Sequence, residues 1–258
     1  MEKAFLILLF FIFGSIIGSF LNVVIYRIPR GKSIKKPAFS FCPECGEKIK
    51  WYDNIPLLSY FILRGRCRYC KGKISIRYPF VEFLTGIASV MAFLKTGLSY
   101  DYIFTFGFIS LMIAITFIDI DFRIIPDELN LIGFIMGIVY SAIKSNLVES
   151  LLGSLIGAGF LWGIAYIYLR FRGIEGLGMG DVKMMAFVGA YTGWFGALFT
   201  IFVGSFIGAV AGIIGAYLSK SEEKGKFEIP FGPFLSFAAI IYIFFGDIIK
   251  NWYLGGIM

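Results

Sequence analysis

Residues 102–118 read YIFTFGFISLMIAITFI, and the next residue is Asp119. The run carries no charge and no proline. As an α-helix at about 1.5 Å per residue it would reach roughly 25 Å, close to the ~30 Å hydrocarbon thickness of a bilayer. A surface helix of a soluble domain keeps a polar stripe, and this one has none. Working outward, further apolar stretches lie at about 4–26, 80–95, 129–143, 151–169, 184–193, 195–218 and 231–249. Of the 258 residues, 58% are hydrophobic and 16% charged, against about 45–50% and about 25% in ordinary soluble domains. The fold expected is therefore an all-α polytopic membrane protein of about eight transmembrane helices.

Two of these assignments need an argument. The first stretch begins almost at Met1 but lacks a basic n-region and a small-residue cleavage site, so it reads as a span and not as a signal peptide. Residues 184–218 as one helix would measure roughly 52 Å, too long for a single crossing. Gly193 and Gly196 flank Trp194 and Phe195 and place a turn there.

The loop charges give an orientation. Segments 27–79, 119–128, 170–183 and 219–228 hold 20 of the 24 Lys and Arg. Lys and Arg accumulate on the cytoplasmic side, so these segments are expected there and both chain ends on the other side. The net charge of +7 is thus read as orientation and contact with anionic lipid, not as nucleic-acid binding. A nucleic-acid-binding zinc ribbon is the minor alternative. The expected organisation is a first transmembrane helix at 1–26, a cytoplasmic loop subdomain at 27–79 and a membrane core of about seven helices at 80–258. No internal repeat is evident.

A loop of this size makes a thin core without a staple. The staple expected is Cys42-Pro-Glu-Cys45 with Cys67-Arg-Tyr-Cys70. Two CxxC pairs at this separation match a closed tetrahedral zinc site of four thiolates with a structural role. Gly46 and Gly72 follow the two knuckles, where a positive φ is often needed, and Ile49 to Tyr52 could supply a short strand. Two disulfides or a redox pair are the alternatives; a reducing compartment disfavours the disulfides.

The chain contains no histidine. That removes Ser-His-Asp and Cys-His hydrolases and every His-ligated metal site. Two acidic groups sit at the ends of apolar stretches: Asp119, in Asp119-Ile-Asp121-Phe-Arg-Ile-Ile-Pro126-Asp127-Glu128, and Asp181, in Gly178-Met-Gly180-Asp181-Val-Lys183. Ionisable groups beside hydrocarbon are costly and are functional candidates by default. Two carboxylates sharing a site retain one proton between them, which supplies a base and an acid at one pH. The base would activate water against a peptide carbonyl while the acid polarises its oxygen. Gly178 and Gly180 would let backbone or substrate approach Asp181. Asp127 and Glu128 suit the first turn of the next helix, where the dipole favours acids. On the residues alone these carboxylates could equally cap helices or bind a cation in a transporter, and the cysteine loop could recruit a partner in a non-enzymatic assembly protein.

The sequence also resembles the type IV prepilin peptidases, GxGD-type membrane aspartic proteases. The resemblance rests on Asp119 with Arg123 and Ile125-Pro126-Asp127, on Gly178-Met-Gly180-Asp181, and on the tetracysteine loop. It extends to Gly18-Ser-Phe-Leu-Asn-Val-Val-Ile-Tyr-Arg27, Asn54-Ile-Pro-Leu-Leu-Ser-Tyr60 and Tyr78-Pro-Phe-Val-Glu82. It covers residues 14 to 190. It implies Asp119 and Asp181 as the catalytic pair, chosen over Asp121 by spacing to Ile125-Pro126-Asp127. It implies cleavage of the short basic leader of prepilins or pseudopilins at the cytoplasmic face of a bacterial inner membrane. It further implies N-methylation of the new terminus with S-adenosylmethionine, for which no residue is assigned. Neither the oligomeric state nor the particular substrate follows from it.

Overall fold

The computed structural model describes residues 2–173, 176–218 and 229–255, with the Leu254 side chain excepted. The described residues are helical apart from the cysteine loop and short connections. The helices are α1 (Glu2–Arg27), α2 (Leu58–Ile62), α3 (Arg77–Thr96), α4 (Tyr100–Phe122), α5 (Asp127–Ile143), α6 (Leu147–Arg172), α7 (Met179–Leu218) and α8 (Gly232–Leu254). Six of them, α1, α3, α4, α6, α7 and α8, are long and apolar enough to cross a membrane. All eight apolar stretches fold as helix. The 129–143 stretch forms α5, of 17 residues. The 184–193 and 195–218 stretches are the two arms of α7, which breaks at Gly193 with φ 73° and ψ −178°. Only glycine adopts that conformation without strain, so the break falls where the sequence places it. Lys220, Lys224 and Lys226, used in the charge count, lie outside the described residues.

The chain forms two compact units, residues 1–114 and 115–258. In the first, α1 packs along α3. Gly14 and Gly18 form a GxxxG step on α1, and a methyl group on Gly18 would meet the Glu82 backbone. Small residues at this spacing let membrane helices touch along their backbones. Above this contact Phe10 stacks on Phe93 at 4.2 Å and meets Tyr102 edge-on at 4.8 Å. Ser89 donates to the Phe10 carbonyl and shares a 2.8 Å bond with the Tyr102 hydroxyl. The opposite face of α1 presents Phe5, Leu8, Ile12 and Ile16 outward, as a lipid-facing helix does.

In the second unit α7 is the central helix, packed by α5, α6 and α8. Its first arm is buried at Met184, Met185, Phe187 and Val188. A methyl group on Gly189 would overlap the Gly153 carbonyl, and one on Gly153 would overlap the Gly189 carbonyl. The two glycines therefore bring α6 and α7 into backbone contact.

Candidate active site and metal centre

α4 ends at Phe122, and the Arg123 amide donates to the Asp119 carbonyl at 2.9 Å. Arg123 itself takes φ 55°, the left-handed turn that closes helices and that glycine usually occupies. The termination leaves Asp119 on the inner face of the last turn, 5% exposed. Asp121, two residues on, is exposed. Asp119 Oδ2 accepts a buried 2.9 Å hydrogen bond from the Gly232 amide, at the start of α8.

Asp181 lies in the first turn of α7. Its amide donates to the Gly178 carbonyl at 3.2 Å, and its Oδ1 is buried without a hydrogen-bond partner. Asp119 is near enough to act on Asp181 electrostatically. Ile125 joins the two surroundings: a methyl group on Gly180 would stand 3.0 Å from its Cβ, and one on Gly232 would stand 3.1 Å from its Cδ1 and 2.7 Å from Asp119 Oδ2. Gly180 thus provides the close approach expected of it. Asn130, 5% exposed, reaches the Gly180 carbonyl at 3.4 Å and keeps Oδ1 unpaired. At the margin Lys183 pairs with the exposed Asp127 at 2.7 and 2.8 Å, tying the start of α7 to the start of α5.

The site brings together two carboxylates, one with an oxygen tied to a backbone amide and one with a buried oxygen that has no hydrogen-bond partner. Such a pair can take a proton from water and give one to an amide. Gly232 and Asn130 were not singled out from sequence, and Ile125 entered only within the Ile125-Pro126-Asp127 motif. The Pro230-Phe-Gly-Pro233 stretch opening the last helix was the available signal for Gly232.

The four cysteines meet within the first unit. All four Sγ atoms lie within 4.8 Å of one another, with Cys42 and Cys70 at 3.9 Å. A tetrahedron with ~2.3 Å metal–sulfur bonds has edges of roughly 3.8 Å, so the cluster could hold one metal ion. Two loops of the same form build it. In the first, Ser40 and Ile49, Phe41 and Lys48, and Cys42 and Glu47 pair across the loop; in the second, Gly65 and Ile74, Arg66 and Lys73, and Cys67 and Gly72 do the same. A local repeat thus exists where none was read. Its symmetry corrects one expectation: positive φ falls on Gly46 in the first knuckle and on Lys71, not Gly72, in the second. Gly72 is needed instead because a methyl group there would overlap the Glu44 carboxylate. The strand expected at Ile49 to Tyr52 is also absent; Trp51–Asn54 is a 3-10 helix.

The thiols are electrostatically uneven. The Cys70 amide donates to Cys67 and, with its neighbours, brings that thiol down to about 7. At Cys70 the Gly72 amide also favours the thiolate, but desolvation and the surrounding thiols prevail and push it up to about 12. Cys45 is raised as well: the Glu47 amide favours its thiolate, against desolvation and Cys42. Four thiolates cannot gather here without a cation.

Arg27, 4% exposed at the end of α1, anchors this loop. It donates to the carbonyls of Ser33, Ile34, Pro37 and Phe39 at 2.8–3.2 Å. Asp53 and Arg68 form a second anchor through two parallel bonds, which holds the Asp53 carboxyl below its usual range.

Residues 12–96 match the bacterial peptidase A24 N-terminal domain, and residues 106–213 match the type IV leader peptidase family. The chain belongs to the type IV leader peptidase family. Prepilin leader peptidase/N-methyltransferases of similar sequence come from Aeromonas hydrophila (35% identical over 95% of this chain and 93% of that protein) and Legionella pneumophila (36%, 97% and 95%). Another comes from Pseudomonas aeruginosa (34%, 93% and 91%). No solved structure matches the chain. As a leader peptidase family member with several membrane-length helices, the chain is a multi-pass membrane protein.

Proposed function

We propose that the chain is a membrane aspartic endopeptidase that removes the leader of type IV prepilins or pseudopilins and then N-methylates the exposed terminus. The observation that carries the peptidase half is the nearness of buried Asp119 to half-buried Asp181, close enough for the two carboxyls to interact. One carboxylate takes a proton from water, and that water attacks the scissile carbonyl. The protonated partner hydrogen-bonds the carbonyl oxygen, and the proton then passes to the leaving amine. Gly232 holds Asp119 Oδ2, and Oδ1 is left to take the proton from water. Both aspartates stand in the end turns of membrane-length helices, which suits a substrate cut where its own helix leaves the bilayer. The loop-charge balance supports a cytoplasmic position for the aspartate-bearing end in a bacterial inner membrane.

The metal of the cysteine loop is zinc in a structural role. Cys42, Cys45, Cys67 and Cys70 would hold it, and four thiolates leave no open position for chemistry. Methylation draws on S-adenosylmethionine, as the names of the relatives suggest.

The test is incubation of the purified protein, in detergent or nanodiscs, with candidate prepilins, followed by N-terminal sequencing and mass measurement of the product. A single new terminus at the leader junction, one methyl group heavier, supports the proposal. Prepilins left intact across the candidates contradict it.

A further inference from the structure

The loop between α1 and α3 carries a short helix, α2, whose outer face is apolar. Leu58, Phe61 and Ile62 are 59%, 71% and 69% exposed, and spacings of three and four put them on one helical face. Trp51, just ahead of α2, is exposed as well. The opposite face turns inward: Ser59 is buried, and its hydroxyl donates to the Tyr52 carbonyl at 3.0 Å. Contiguous exposed apolar surface marks a binding face for protein or membrane.

The fold fixes how deep this face sits. α2 opens on a strained γ-turn: Leu57 takes φ 62° and ψ −55°, and the Leu58 amide donates to the Pro56 carbonyl at 2.6 Å. The Leu57 amide donates to a Glu82 carboxylate oxygen of α3 at 2.8 Å, and Ser19 of α1 adds a hydrogen bond to the same carboxylate. α3 has 20 residues, about the number that crosses a ~30 Å hydrocarbon core, so its first residue, Arg77, stands at the edge of that core. Glu82 lies roughly 7.5 Å further along the axis. The start of α2 is therefore tied inside the membrane boundary, at the ~5–10 Å depth to which interfacial helices bury their apolar face. At this same level Ile76, Phe80 and Phe83 are exposed along the start of α3, so the two elements are apolar outside together. Arg64 and Arg66 follow α2 and are exposed. No acidic residue lies between Asp53 and Glu82; Asp53 is held by Arg68, and Glu82 by Leu57 and Ser19. The charge beside the apolar face is thus positive, the complement of lipid phosphates.

We propose that α2 lies in the bilayer interface, with Leu58, Phe61 and Ile62 among the acyl chains and Arg64 and Arg66 at the phosphates. The occupant of this face is phospholipid. The Asn54-Ile-Pro-Leu-Leu-Ser-Tyr60 stretch then has a physical task. Pro56 and Leu57 make the turn that ties the chain to Glu82, Leu58 faces lipid and Ser59 faces the loop. α2 becomes the foot on which the cysteine loop rests against the membrane.

The test uses the full-length protein in phospholipid nanodiscs. The photoreactive p-benzoylphenylalanine replaces Phe61 in one variant and, in a second, Ile12 on the lipid-facing side of α1. Zinc content and melting temperature check that each folds. After irradiation, with and without prepilin, intact mass and peptide mapping identify what has been captured. A phospholipid adduct at position 61, within about threefold of the yield at position 12, supports the proposal. A covalent dimer or a prepilin adduct at position 61 in place of lipid overturns it, as does a position 61 that stays unlinked while position 12 takes lipid. Hydroxyl-radical footprinting of the unmodified protein in the same nanodiscs needs no variant. Corrected for intrinsic reactivity, Phe61 should be oxidised about tenfold less than the exposed Tyr69 of the second knuckle, because water is excluded from the acyl region. Equal oxidation of the two residues overturns the proposal.

Discussion

The backbone amide of Gly232 donates to Asp119 Oδ2 at 2.9 Å, joining the start of α8 to the last turn of α4 across 113 residues of chain. A main-chain donor can hold a carboxylate without introducing a side chain into the pocket. It also makes the orientation of Asp119 depend on a residue with no functional group. A Cβ at position 232 would stand 2.7 Å from that same oxygen. Gly232→Ala is therefore expected to turn Asp119 away and slow prepilin cleavage by about 10²-fold, the scale of an ångström-level misplacement. Zinc content should not change. Rates of cleavage alongside metal analysis check this, and an unimpaired Gly232→Ala enzyme would show that the hydrogen bond is incidental.

Gly193 gives a prediction about stability. At φ 73° and ψ −178°, any other residue is strained by roughly 1–3 kcal/mol, and a Cβ would also crowd Glu149 at 3.0 Å. Gly193→Ala should lower the thermal midpoint in detergent, whereas Gly163→Ala, where a Cβ meets open space within the same unit, should not. Equal midpoints for the two variants would contradict the strain assigned to the break in α7.

Arg27 is expected to be intolerant even of lysine. Its fork serves four carbonyls at once, a geometry that an ammonium group does not reproduce. Arg27→Lys should lose most of these charge-assisted hydrogen bonds, expose the loop to limited proteolysis and weaken zinc retention. A loop as protease-resistant as in the unmodified protein would refute the anchoring role.

Metal binding should release protons. At pH 7 the thiols of Cys70, near 12, and Cys45, also raised, carry their protons, and a metal must displace them. Cys67 is lowered instead, by the Cys70 amide, and has less proton to give up. The affinity for zinc therefore falls as pH drops, because protons compete for thiolates, and rises as pH increases. Calorimetry of zinc binding to the chelator-stripped protein, in buffers of different ionisation enthalpy, should show about two or more protons released per metal. Binding without proton release would contradict four-thiolate ligation.

Much of this was legible in the chain because it was written in residue type and spacing. The charge-free run at 102–118 marks α4, and Asp119 stands out because an acid follows it. The paired cysteines specify their cluster, and two nearby glycines mark the break in α7. What was hidden depends on groups common to every residue or on three-dimensional company. A backbone amide at Gly232 has no side-chain signature, only the prolines at 230 and 233 on either side of it. Arg27 looks like one of many loop cations until four carbonyls converge on it. Lys71 adopts the left-handed turn because the knuckle geometry demands it at that step, overriding the preference for glycine, while Gly72 answers to the neighbouring Glu44. The 3-10 turn at Trp51–Asn54 replaces a strand because no second strand is available to pair with it among the described residues.

The central claim is that two carboxylates, Asp119 and Asp181, perform the hydrolysis together. The most direct measurement is prepilin cleavage by purified Asp119→Asn and Asp181→Asn, each shown to accumulate and to retain zinc. Each should lose cleavage by about 10²–10⁴-fold, the contribution of a positioned acid or base. An unaltered rate in either folded variant would contradict the account.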